Sequence, residues 1–415
     1  MNKMTVKNIG RSRWTRVGVL IFVSYFLAFA DRSNIGVAAP EMAKDLGYDS
    51  RIIGTLLSAF FWGYVLTQIP GGWIAQKIGP TRVVSIGMVV TGITASLTGV
   101  VDNINMLLFV RAILGFAEGV IWPAFAILFI NWFPGNERSR AVAAALYAMP
   151  LSAVVMAPLA GWLIDIFHWK AMFVIQGLPA LLAGILFLIF VTDDPATDNR
   201  ISRAERDFIL KHREQGTSES GNFTDVLKSP YIWLLGLASL TWIMVIYTFT
   251  LWMPTLIKQY IEHGYSLAGT LTAIPFLFGG ISMYINARLS DRSTVSRGWF
   301  VALPIIMSGI FLLAQHNLVD SLTGSVIMFS LAGAGLYSGA GAWWSWAISM
   351  FPRNQAGAAI GMMNIFASFG GIVGPAAIGY LAAGDTPANS FYLISYSLFI
   401  SAALIFVLIM FNRNH

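Results

Sequence analysis

Cysteine is absent from this chain, which excludes disulfides and thiolate metal sites at once. Histidine is scarce, with 5 residues so scattered that none shares a metal-ligand spacing with another. Charge is scarce too. Asp, Glu, Lys and Arg make up 11% of the residues against 56% hydrophobic, and the mean hydropathy is +0.68, a balance that excludes an ordinary soluble protein. What the chain has instead is long apolar runs. Spanning the hydrocarbon takes about 20 apolar residues per helix, and twelve windows qualify, at 16–39, 52–76, 81–101, 104–130, 139–166, 169–192, 230–257, 266–289, 298–315, 322–350, 355–383 and 389–412. The first run is too long for a secretory leader and has no small-residue cleavage site, so it is expected to remain as a helix.

The basic residues set an orientation. With both termini inside, the basic residues of the N-terminal tail fall on the cytoplasmic side, as do Lys77, Arg82, Arg138, Arg140, the central loop, Arg288, Arg292, Arg297, Arg353 and Arg413. Lys44, Arg51, Lys170 and Lys258 fall outside, while Arg32 and Arg111 fall within the membrane. The net charge of +6 is therefore a topology signal spread over short loops, with no patch for nucleic acid. The expected setting is a bacterial inner membrane, with lipid as the main surroundings and a monomeric protein.

The one sizeable polar break, Thr192–Ser229, divides six helices from six. The expected organisation is a bundle over 1–192, a cytoplasmic linker over 193–229 and a second bundle over 230–415. An internal repeat supports the division. Asn131-Trp132-Phe133-Pro134-Gly135-Asn136 before the fifth helix returns as Ser349-Met350-Phe351-Pro352-Arg353-Asn354 before the eleventh, and Gly161 and Gly379 keep the same offset. Parallel repeats of this kind build transporters with a site at the repeat interface.

Four charged residues sit where lipid forbids them: Asp31, Arg32, Arg111 and Glu118. An ionisable group at membrane depth marks a functional site unless protein pairs it away. Arg stays protonated under ordinary conditions, and its planar guanidinium binds a carboxylate through two parallel hydrogen bonds, which suits an organic acid. Asp31 and Glu118 can become neutral, so a rearrangement that changes their distance from Arg can load or release a proton. With both acids ionised the four charges cancel, and with both protonated they sum to +2, a field that invites an anion. Arg111 and Glu118 are seven residues apart, which places them on one helix face about 10 Å apart. Asp31 lies at the depth expected for Arg111, so either acid can partner Arg111. Arg32 has no embedded acid three or four residues away and is expected to be the freer base. These residues point to a coupled carrier of an anion.

At this level of detail the chain resembles the major facilitator superfamily and, within it, the anion:cation symporters that include bacterial sugar-acid transporters and sialin. The resemblance rests on Phe29-Ala30-Asp31-Arg32-Ser33-Asn34-Ile35; on Phe61-Trp62-Gly63-Tyr64 through Gln68-Ile69-Pro70-Gly71-Gly72; and on Arg111-x-x-x-Gly115-x-x-Glu118-Gly119-x-x-x-Pro123 followed by Trp132-Phe133-Pro134 and Glu137-Arg138-x-Arg140-Ala141. It implies an all-α membrane fold of twelve helices in two pseudo-symmetric six-helix bundles. It also implies alternating access and mutual influence between Arg111 and Glu118. One departure is Gln76, where the superfamily pattern has Asp between helices 2 and 3.

The expected function is proton-coupled import of an organic anion, such as an aldonate, hexuronate or aldarate, with no enzymatic activity and no cofactor beyond the coupling ion. Asp31 and Glu118 carry the proton coupling. Arg32, Arg111, Tyr64, Tyr337, Ser338, Trp344, Asn364 and Ser368 form the substrate site, because helices 7–12 offer no embedded charge and must contribute hydroxyls, an amide and aromatic faces. Tyr337, Gly341 and Trp344 are expected on one helix face. An efflux antiporter of the same fold is the alternative, although the fifth helix reads Met156-Ala157-Pro158-Leu159-Ala160-Gly161, only partly like the Gly-Pro run of such antiporters.

Overall fold

The structure is a computed structural model that describes residues 11–68, 70–213, 223–352, 355–383 and 389–412. Ile69, Arg353, Asn354, Arg413 and the first ten residues, all used in the sequence reading, lie outside these ranges.

The described chain is almost wholly helical. A π-helical turn at Arg13–Gly18 leads into α1 (Val19–Leu46), followed by α2 (Ser50–Thr67), α3 (Pro70–Ile78), α4 (Pro80–Thr98), α5 (Ile104–Gly119), α6 (Ile121–Trp132), α7 (Gly135–Leu146) and α8 (Ala148–Phe190). The connection carries α9 (Arg203–His212) and α10 (Phe223–Lys228). Then come α11 (Pro230–Lys258), α12 (Ser266–Arg292), α13 (Trp299–Leu318), α14 (Leu322–Ser338), α15 (Ala340–Ser349), α16 (Ala356–Ala382) and α17 (Asn389–Asn412). Ten helical stretches among the described residues are long and apolar enough to cross a membrane, and the α2–α3 pair makes an eleventh. The 43 residues of α8 would reach about 65 Å at 1.5 Å per residue, twice the hydrocarbon thickness. His168, at φ 74, breaks that length in two, which gives the twelfth span.

Local chemistry sets the ends. α1 runs through Pro40 and stops at Gly47 in the left-handed region, φ 67, seven residues beyond the expected end. The stop is therefore made by glycine's tolerance of positive φ and not by the proline. Asp49 caps α2 by accepting from the Ile52 N–H at 2.9 Å, and Asn103 caps α5 in the same way.

The bundle has two ends. The proximal end carries Arg13, whose side chain meets Glu137 at 2.9 Å and the fully buried Glu205 of α9 at 3.0 Å. Asp193, just past α8, accepts the Thr81 N–H at 2.8 Å and so caps α4. The distal end carries His168, Glu41, Asp102 and Lys170, with Lys170 2.6 Å from Asp102. In the first half α4 packs on α8, α2 on α5 and α1 on α8; in the second, α12 packs on α14 and α13 on α17. Across the halves α8 meets α12, α2 meets α16 and α1 meets α11.

These cross-half meetings are tightest toward the distal end. A methyl group added at Gly54 would lie 2.7 Å from the Pro375 carbonyl, and one at Gly161 would lie 2.3 Å from the Tyr265 carbonyl, so the backbones touch there through glycine. Asp165, on the distal part of α8, accepts the Tyr265 and Ser266 N–H groups at 2.6 and 2.7 Å and so caps α12 across the divide. At the proximal end, a methyl on Gly357 or Gly361 of α16 would meet nothing within 4 Å. The halves thus meet backbone to backbone distally, while the proximal part of α16 leaves open space beside Gly357 and Gly361.

Candidate binding and coupling site

All four embedded charges are buried, with exposures of 1–5%. α1 delivers Asp31 and Arg32 on adjacent faces, and α5 delivers Arg111 and Glu118 two turns apart. Arg32, expected to be the freer base, is the paired one: its Nη2 donates to Glu118 Oε2 at 2.9 Å. The pairing crosses from α1 to α5, which spacing within one helix cannot reveal. Arg111 makes a different contact from either alternative. Its Nη1 donates at 3.3 Å to the backbone carbonyl of Asp31, while its Nε and Nη2 are buried with no hydrogen-bond partner, as are Asp31 Oδ2 and Glu118 Oε1.

Aromatic rings hold the Arg32 guanidinium. Its carbon lies 4.4 Å from the Phe29 ring centroid and 4.7 Å from those of Phe60 and Tyr64, distances at which cation–π attraction acts. Tyr64 thus reaches the site by bracing Arg32. Nη1 also faces the Tyr247 hydroxyl at 3.5 Å, a long contact.

Arg32 lines a small cavity between the two halves. α1 contributes Phe29 and Ser33; α8 contributes Met149, Pro150, Ser152 and Ala153; and the second half contributes Ile246, Tyr247, Thr250, Leu251, Phe276 and Tyr337. The Tyr337 hydroxyl meets Thr250 Oγ1 at 2.8 Å. Of the expected second-half residues, Tyr337 alone lines this cavity. The Ser338 carbonyl accepts from Asn286 on the neighbouring helix, and Ser368 Oγ turns back to the Asn364 carbonyl at 2.8 Å. Trp344, on α15, packs against the apolar core. Ser152, Thr250 and Phe276 escaped the sequence reading, because neutral residues in apolar helices carry no signal of their own.

A second, smaller cavity lies distal to the first and shares Ser33, Ala153, Thr250 and Phe276 with it. Its further lining is Asn34, Val37, Ala157, Pro254 and Thr272. Asn34 is buried, and its Nδ2 faces Asp31 Oδ1 at 3.5 Å and donates to Gln176 Oε1 at 3.1 Å.

The Major Facilitator Superfamily profile matches residues 21–375. A protein of Agrobacterium vitis named "Putative tartrate transporter" is 30% identical over 421 residues, covering 95% of this chain and 89% of that protein. Human sialin is 25% identical over 434 residues, covering 94% and 86%. Among solved structures, a bacterial homolog of the human lysosomal transporter Spinster superposes with a TM-score of 0.77 at 16% identity, covering 96% of this chain and 97% of that one. A D-xylose-proton symporter superposes with a TM-score of 0.75 at 14% identity, covering 94% and 96%. These two likenesses show the shared fold. A profile match that spans both sets of helices, on an all-helical bundle with paired charges at its centre, settles the class: the chain belongs to the Major Facilitator Superfamily and is a multi-pass membrane transporter, not an enzyme.

Proposed function

We propose that this transporter imports an organic anion together with protons across the cytoplasmic membrane, and that the anion is a sugar acid such as an aldonate, hexuronate or aldarate. The observation that carries this reading is the Arg32–Glu118 pair, 2.9 Å apart at the wall of the central cavity. One guanidinium faces two competing carboxylates, that of Glu118 and that of the substrate. A proton on Glu118 weakens its hold and frees the fork for the incoming acid, so proton and anion binding reinforce each other. A buried base stripped of its acid is an uncompensated charge, which makes the protonated, empty site unfavourable and the doubly loaded site neutral again. Hydroxyls of Tyr247, Thr250 and Tyr337 on the facing half supply partners for a polyhydroxylated chain. The Agrobacterium vitis relative, named for tartrate, supports an acid substrate.

The basic residues assign the proximal end to the cytoplasm, with both termini there, which makes the described arrangement inward-facing. The four charges and the cavity all lie within one chain, so the monomer is sufficient for the cycle. The test is uptake of a panel of labelled acids into sodium-free proteoliposomes. An inward proton gradient is expected to drive accumulation of a sugar acid; absolute dependence on sodium, or export of neutral compounds, would overturn the reading.

A further inference from the structure

Asp31 is the second embedded acid, yet it lines neither cavity. The charged groups of the site that bear on it are Arg111, which bonds its backbone carbonyl, and, through the Arg32–Glu118 pair, the α5 acid; α8 faces this region with the neutral Gln176. Asn34 is the link between Asp31 and open space. It lines the distal cavity, its amide faces Asp31 Oδ1, and it is itself held by Gln176. Asp31, Asn34 and Gln176 are 1%, 2% and 3% exposed. Within this cluster Asp31 Oδ2, Asn34 Oδ1 and Gln176 Nε2 have no hydrogen-bond partner. Two acceptors and one donor without partners match the valence of one water molecule, which donates twice and accepts once.

We infer that Asn34 and Gln176 are positioning residues for Asp31, and that they join it to the distal cavity so that it takes its proton from that side. The inference rests on the proton-coupled reading above and adds to it a route and two residues. The geometry gives the roles. Gln176 Oε1 accepts one N–H of the Asn34 amide and so fixes which way that amide faces. The other N–H is thereby turned to Asp31 Oδ1, an arrangement that favours the ionised acid. A hydronium ion in the distal cavity gives a proton to a water held between Asn34 Oδ1 and Gln176 Nε2, that water gives one of its own protons to Asp31 Oδ2, and water is left at both places while Asp31 becomes neutral. The two acids then divide the work by place: Glu118 answers to substrate through Arg32 at the central cavity, and Asp31 answers to the proton supply through Asn34 at the distal one.

The assignment separates from a merely structural role by its pH signature. In Gln176→Leu the Asn34 amide is free to turn its oxygen toward Asp31, which favours the protonated acid. The pH profile of gradient-driven uptake is expected to move about one unit toward higher pH, a tenfold change in proton affinity. Substrate counterflow at equal pH, which needs no net proton movement, is expected to stay within about twofold of the parent. Gln176→Met repeats the test with an unbranched side chain of similar length, should leucine fail to fold. An unmoved pH profile in a variant that still transports would overturn the inference, and so would equal loss of counterflow and driven uptake in both variants. Parent protein whose uptake ignores the proton gradient would instead overturn the coupled reading on which the inference stands.

Discussion

Replacing Asp165 should open the distal side. Its carboxylate bridges the halves by accepting the Tyr265 and Ser266 N–H groups at 2.6 and 2.7 Å, at the start of α12. In the opposite state α8 and α12 must separate at this end, so these bonds exist on one side of the conformational equilibrium alone. Each net hydrogen bond contributes about 0.5–1.5 kcal/mol, and loss of a capping acid costs about 0.5–2 kcal/mol. Because Asp165 is exposed, the lower part of the combined range applies, about 1–2 kcal/mol. That shifts the populations about five- to thirtyfold toward the distally open state. The chain has no cysteine, so a single Thr272→Cys, buried in the distal cavity wall, reports opening without background. Its labelling by a membrane-impermeant maleimide added on the distal side should accelerate by that factor in Asp165→Ala, and by less in Asp165→Asn, which keeps one acceptor oxygen. Equal labelling rates with and without Asp165 would refute the reasoning.

Glu118→Gln mimics the protonated acid, so it should abolish proton-driven accumulation while counterflow persists; full concentrative uptake would remove Glu118 from coupling. Arg32→Lys keeps the charge but loses the fork and the flat face braced by Phe29, Phe60 and Tyr64, and should raise the apparent substrate constant about tenfold, roughly 1.4 kcal/mol. Arg111→Lys should instead shift the pH profile of uptake; unchanged affinity in Arg32→Lys together with loss of binding at every pH in Arg111→Lys would exchange the two roles. Gly63→Ala would place its methyl 1.8 Å from the Ala112 carbonyl, where α2 and α5 cross, so a monodisperse size-exclusion peak at the parent's yield would contradict the packing.

The spans were legible because hydropathy over twenty residues is a long, redundant signal, and α1 overran the apolar window because the polar residues beyond it stay helical until Gly47 at positive φ. The embedded charges were legible as a set, since lipid leaves each of them conspicuous. Their pairing was not. Whether Arg32 or Arg111 meets Glu118 depends on how α1 sits against α5 and on two long side-chain rotamers, and spacing along one helix contains neither. Seeking the facing hydroxyls by residue type and helix periodicity found Tyr337 on the cavity wall, whereas Ser338, Asn364 and Ser368 lie outside that wall, with Ser368 Oγ donating to the Asn364 carbonyl. Gln176 was illegible for the opposite reason, as an amide in an apolar run looks unremarkable until its partner on α1 is seen.

Part of the distal seam is made of main chain. Where Gly54 faces Pro375 and Gly161 faces Tyr265, no rotamer has to be chosen for the surfaces to meet, so sealing them forfeits almost none of the side-chain entropy that an interlock of long residues would surrender. The dispersion grip of these backbone contacts is short-ranged and is lost within the first ångström or so of movement, whereas the buried side chains packed beside them in one core cluster must slide past one another. Resistance to the swing therefore comes from those side chains and from directional contacts such as that of Asp165, not from the glycine contacts themselves.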